Sequence, residues 1–149
     1  ITFSTPEKAF HYTNSCDIDD IVSGTDTSFV IASKNNVNTY KIVPKTQKGW
    51  KISSALATKD MFQYFYNGIS IHIYRYKNSS DYYIALFDTD GGQINITDNR
   101  GSNFISVIQN QSADIEPVYH YYACINNMDS EYVITLNGED IKLPITKYS

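Results

Sequence analysis

Cysteine, positive charge and long apolar runs are all scarce in this chain of 149 residues. With only 2 Cys it has no multi-bridge frame, and at this length it needs neither that nor a structural metal. Such a chain hides roughly two thirds of the surface its unfolded form exposes, so one domain over residues 1–149 is expected. Lys and Arg number 12 against 16 Asp and Glu, a net charge of −4 with no basic run. Nucleic acid and anionic membrane need clustered cations, so neither is expected as a partner. The apolar stretch from Ile69 to Tyr76 is broken by Ser70, His72 and Arg75. It falls far short of the roughly 20 residues of a spanning helix, so a soluble chain without a transmembrane segment is expected.

What fills the space is tyrosine, with 13 copies, beside much Asn, Ser and Thr, while charged residues make up only 19%. The opening Thr5-Pro6-Glu7-Lys8-Ala9-Phe10 predicts a short helix over about residues 5–12. Thr5 serves as its N-cap, Pro6 sits where a missing N–H costs nothing, and Glu7 faces the positive helix end. Ala9 and Phe10, with Tyr12 at the margin, form its buried side. From about Ile18 the pattern changes to period two, in short β-branched and aromatic runs bounded by Asn, Gly, Asp and Ser. Asn67-Gly68 and Asn137-Gly138 are the strongest hairpin signals, because both residue types tolerate the positive φ of a type I′ turn. Asn35-Asn36 marks a further turn.

The fold class expected is all-β, built of antiparallel meanders in a sandwich or strongly bent sheet, with one short N-terminal helix. The alternative is a β-trefoil-like barrel of three units. Stretches beginning at Ser28, Ile69 and Tyr121 align with one another, each with an Asn-rich turn before a Tyr (Tyr40, Tyr83, Tyr132) and then a Gly-containing turn. With leading strands at Asp20–Ser23, Phe62–Tyr66 and Phe104–Gln109, three such units make about twelve strands.

Motifs of known chemistry are missing. His11, His72 and His120 stand in no metal-ligand spacing, so no metal and no cofactor are expected. His120 and Cys124 share a strand face but sit about 13 Å apart, which leaves only a dyad assembled across strands, such as Cys124 with His72. Asp88-Thr89-Asp90-Gly91-Gly92 starts like a calcium loop and then fails it, with Gln93 and Asn99 where Gly and Glu belong. Asp17, Asp19 and Asp20, and also Asp114-Ile115-Glu116, read as solvated charge, and Trp50 as core filler. A bridge between Cys16 and Cys124 would close a loop of about a hundred residues, worth roughly 4–5 kcal/mol; two reduced, half-buried thiols are the simpler reading.

The aromatics carry more. The strand from Ile69 sets Ile69, Ile71 and Ile73 on one face and Ser70, His72, Tyr74 and Tyr76 on the other. The neighbouring strand adds Tyr64 and Tyr66, or Phe62 and Phe65, according to register, and Tyr121 loads another strand. Tyr64, Tyr66, Tyr74, Tyr76, Tyr121 and His72 are therefore the candidate binding residues. Together they would make a polar aromatic platform for a carbohydrate, a peptide or a protein.

Thr5-Pro6-Glu7-Lys8-Ala9-Phe10 and Lys45-Thr46-Gln47-Lys48-Gly49-Trp50-Lys51-Ile52 resemble the first third of small exported proteins and lipoproteins of low-GC Gram-positive bacteria. Those proteins open with a Thr-Pro-Glu-x-Ala helix and pass through a hairpin to a Gly-Trp-Lys segment; Lys8 here replaces the usual acidic residue. The resemblance covers residues 5–52 and implies an extracytoplasmic setting, secreted or surface-anchored, with no activity to carry over. The start at Ile1 rather than Met agrees with a processed N-terminus and an anchor removed upstream. The leading expectation is a non-enzymatic extracytoplasmic binding module. A hydrolase-like enzyme with a His and carboxylate pair is the alternative, and a structural spacer the third reading.

Overall fold

The computed structural model describes residues 1–52, 58–109, 117–126, 128 and 131–143; the acidic Asp114-Ile115-Glu116 lies outside them. The helix α1 (Pro6–Thr13) forms where its cap residues direct. Thr5 Oγ1 accepts the Lys8 amide at 3.2 Å, Pro6 opens the first turn, and Ala9 and Phe10 are buried. Tyr12 stays exposed, tilted against Phe3.

Twelve strands follow among the described residues. They are β1 (Asp17–Ser23), β2 (Thr27–Lys34), β3 (Val37–Thr46), β4 (Gly49–Trp50), β5 (Thr58–Tyr66) and β6 (Ile69–Tyr76), then β7 (Asp81–Asp88), β8 (Ile96–Asp98), β9 (Ile105–Gln109), β10 (Val118–Asn126), β11 (Tyr132–Leu136) and β12 (Glu139–Leu143). Every pairing is antiparallel, so the protein is all-β with one short helix. Asn35-Asn36, Asn67-Gly68 and Asn137-Gly138 all take positive φ and close two-residue hairpins, pairing Lys34 with Val37, Tyr66 with Ile69, and Leu136 with Glu139.

The strands build three sheets, ordered β1-β2-β3-β4, β5-β6-β7-β10-β9 and β12-β11-β8. This is not a three-unit barrel. The third of the similar stretches is divided, because β10 completes the central sheet between β7 and β9 whereas β11 and β12 leave to pair with β8. The reason lies in β10 itself. Tyr122 is buried toward one face and Ala123 and Ile125 toward the other, and a strand buried on both faces needs neighbours on both edges.

Three apolar clusters hold the layers together. Ala9 and Phe10 of α1 pack on Val30, Ala32 and Val43, one face of the first sheet. Its other face, through Phe29, Ile31 and Ile42, covers Tyr74, Tyr83 and Tyr122 of the central sheet. The opposite face of the central sheet, led by Ile71, Ile73, Ile84 and Leu86, packs on Tyr132, Ile134, Leu136 and Ile141 of the third. The central sheet is thus the shared layer. Phe29 sits at the middle of its aromatic side, stacked on Tyr83 at 5.0 Å and edge-on to Tyr122 at 5.7 Å.

A buried carboxylate ties the first sheet to the central one. Asp81, fully enclosed at the start of β7, accepts the amides of Thr25, Asp26 and Thr27 at 2.8, 3.1 and 3.1 Å and the Thr27 hydroxyl at 2.7 Å. Burial alone would raise its pKa, but these donors outweigh burial and hold the carboxyl below its usual range. Gly24 completes the fit, since a Cβ there would lie 2.4 Å from the Asp81 carboxyl carbon. Among the described residues, no helix is long and apolar enough to cross a membrane.

Candidate functional site

The face of the central sheet that meets the first sheet is only partly covered, and the cross-strand rows show where the cover ends. One row runs Tyr74, Tyr83, Cys124; the next Gln63, His72, Ala85, Tyr122, Ile105; the next Phe65, Ser70, Phe87, His120, Val107. The first row lies under Phe29. The last opens to solvent toward its β5 end, with Phe65 64% exposed and Ser70, Phe87 and His120 half-buried, while Val107 at its far end is buried in the inter-sheet cluster. Between them lies a shelf, bounded on the first-sheet side by Tyr40, whose hydroxyl meets that of Tyr74 at 2.5 Å. Burial, and next the bond to Tyr40, keep the Tyr74 phenol well above its usual pKa.

On the shelf the polar side chains hold one another. His72 Nδ1 lies 3.3 Å from Asp60 Oδ2, His72 Nε2 lies 3.1 Å from Ser70 Oγ, and Gln63 Nε2 donates to Asp60 Oδ2 at 2.7 Å. With Asp60 accepting, the network assigns the proton to Nδ1 and leaves Nε2 to accept from the Ser70 hydroxyl. Asp60 reaches this face through an irregularity between Asp60 and Phe62, which pairs Asp60 with Tyr74 instead of Arg75. Flanking this chain, Phe87 stacks on His120 at 4.5 Å and 16°. Burial pushes the His120 pKa down to about 4, so the ring is neutral at physiological pH.

The order Ser, His, Asp is that of a relay that activates a hydroxyl. Ser70 stands near the start of a strand paired on both edges, however, so the amides around it are used in the sheet ladder. Free amides that could steady a developing oxyanion are therefore not supplied by the strand that carries Ser70. What the arrangement does provide is a set of oriented donors and acceptors beside exposed ring faces.

The six candidate residues do not form one platform. His72, Tyr74 and Tyr76 share the shelf face, but Tyr74 is 8% exposed and Tyr76 packs at the margin of the inter-sheet cluster. Tyr64, Tyr66 and Tyr121 stand opposite Ile71, Ile69 and Leu86, on the other side of the sheet. There Tyr64 stacks on Phe62 at 6.0 Å, Tyr66 bonds the Glu139 carboxylate, and the Tyr121 hydroxyl accepts the Ile94 amide at 3.0 Å. Hairpin geometry decides this split, since Tyr66 opposite Ile69 puts Gln63 and Phe65, not Tyr64 and Tyr66, beside His72 and Ser70. That register could have revealed Gln63 and Phe65; nothing in the sequence announced the irregularity that brings Asp60.

Cys16 and Cys124 are free thiols. Cys16 packs in the helix-side cluster and Cys124 in the inter-sheet cluster, so the first sheet stands between them and no bridge is made. Burial, and next the Asp81 charge, push the Cys124 thiol up to about 12. Its sulfur bonds Asn126 Oδ1 rather than any His. Asp88 caps its own turn by accepting the Asp90 amide at 2.8 Å, and Trp50 packs in the helix-side cluster. Asp19 accepts from Ser33 and Asp20 from the Ile21 amide. Among the described residues, no group of three or more His, Cys, Asp or Glu side chains could hold a metal ion. Comparisons with protein-family models, curated proteins and solved structures return no match, so the function of the shelf has to be argued from its own geometry.

Proposed function

We propose that this protein is a binding module that seats a carbohydrate on the open shelf of its central sheet. The observation that carries the proposal is the chain Gln63, Asp60, His72, Ser70, held by mutual hydrogen bonds next to the exposed ring of Phe65. A sugar ring offers hydroxyls that both donate and accept, and it offers an apolar C–H face. Fixed polar side chains satisfy the first and an exposed aromatic face the second. Side chains already bonded to one another lose little freedom when a ligand arrives, which favours a shallow site. An extracytoplasmic setting accords with this reading through the resemblance of residues 5–52.

A glycan array followed by calorimetry on the best binder tests it. Phe65→Ala and His72→Ala should each weaken binding about tenfold or more while thermal unfolding stays close to wild type. The proposal fails if no glycan binds, or if both variants bind as the parent does. The contacts among Ser70, His72 and Asp60 favour a second reading, ester hydrolysis at the Ser70 hydroxyl. It requires turnover of an activated ester that Ser70→Ala abolishes.

A further inference from the structure

At the other end of β6, about 20 Å from Ser70 along the strand, a cleft of about 340 Å³ opens where the first sheet meets the turn between β6 and β7. Its floor is polar and buried, with Thr27 and Ser79 beside Pro44, and its rim carries Lys45, Lys51 and Lys77. Among the described residues none of these three ammonium groups has a carboxylate within ion-pair distance. Asp26, the one acid among the described residues that line the cleft, accepts the Ser79 hydroxyl at 2.6 Å. Three cations against Asp26 on the lining and Asp81 directly behind the Thr27 hydroxyl leave a local balance of 3 − 2 = +1, in a chain whose net charge is −4.

The backbone around the cleft is fixed before any ligand arrives. The Lys51 amide bonds Pro44 O at 2.9 Å, the Lys45 amide bonds Asp26 O at 2.8 Å, and Arg75 Nε holds Ser79 O at 2.7 Å. Lys77 itself has φ +46°, whereas the other described non-glycine residues with positive φ are all Asn. Asn suits a left-handed turn and Lys does not. Turn chemistry therefore does not account for Lys77, while its charge over the Tyr76 ring at the mouth of the cleft does.

We infer that this cleft binds the phosphate group of a small phosphate monoester. A phosphate dianion meets this local positive excess and takes hydrogen bonds from the three rim ammonium groups at once, while the floor hydroxyls of Thr27 and Ser79 stay donated to Asp81 and Asp26. The volume leaves room for the group the phosphate carries, since small-ligand sites begin at about 300 Å³. This site is independent of the sheet shelf.

Calorimetric titration with inorganic phosphate and with glycerol 1-phosphate, at constant ionic strength, tests the inference. Lys45 Nζ lies 5.4 Å from the ring centre of Trp50, the only tryptophan, so its fluorescence should change over the same concentration range. Saturable binding is expected, with glycerol 1-phosphate at least as tight as inorganic phosphate. Lys77→Asn relaxes the backbone while removing the charge, and it should keep or raise the melting temperature yet weaken binding about tenfold. Lys51→Gln should weaken binding similarly, and Lys48→Gln, on the same hairpin but outside the cleft, should not. Absence of saturable binding, an equal response to sodium chloride, unchanged affinity in Lys77→Asn and Lys51→Gln, or an equal loss in Lys48→Gln overturns it.

Discussion

Replacing Asp81 with Ala removes the acceptor for four donors at one stroke: the amides of Thr25, Asp26 and Thr27 and the Thr27 hydroxyl. The Thr25 and Asp26 amides lie in part-buried contacts that water can reach, whereas the two Thr27 donors are buried. A stranded buried donor costs about 1–3 kcal/mol; the Thr27 hydroxyl can turn to the Tyr83 hydroxyl 2.7 Å away, so the Thr27 amide with a fraction from the others gives about 2–4 kcal/mol. That is a large part of the stability of an ordinary domain. In a urea titration with a slope of about 1.5 kcal/mol per M, the midpoint should fall by about 1.3–2.7 M with the slope unchanged. Asp81→Asn should cost less. One amide oxygen can still accept from Thr27, and only the second position sets an N–H against a donor. Gly24→Ala presses on the same carboxylate from the other side and should lower the midpoint too. A loss below about 1 kcal/mol for Asp81→Ala would refute the clamp.

The pH dependence of stability should show two windows. The folded pKa of His120 lies at about 4 against 6.5 for the free side chain, so unfolded chains take up a proton that folded ones refuse. Stability should therefore fall by up to about 1.4 kcal/mol per pH unit between pH 6.5 and 4, and His120→Gln should flatten that window in urea titrations at stepped pH. Asp81 and Asp98 are both held below the usual carboxyl range, Asp98 by donors including Ser102, Tyr132 and Arg100 that outweigh its burial. Their contribution is full above about pH 4 and is lost as pH falls through the folded values, so Asp81→Asn should shallow the acid limb. With its thiol pushed up to about 12, Cys124 should resist iodoacetamide at pH 8 in the native protein and react once urea unfolds it, read as mass added to its peptide.

Local chemistry in the sequence determined the parts of this protein that need no distant partner. The Thr5 and Pro6 helix start and the positive-φ hairpins at Asn67-Gly68 and Asn137-Gly138 follow from capping and turn preferences within a few residues. The alternation along Ile69 to Tyr76 set its Ile face against its Ser, His and Tyr face for the same reason. Tertiary structure alone decided what each face meets. Period two cannot say that the first sheet covers Tyr74 but stops short of Ser70, or that β10 parts from β11 and β12, because burial depends on which sheets pack together. Nor can it see the irregularity before Phe62, where one extra residue turns Asp60 toward His72. The tyrosine wealth of the sequence thus became mostly inter-sheet core, and the open surface passed to Phe65, Ser70 and His72, whose setting depends on contacts made by strands far apart in the chain.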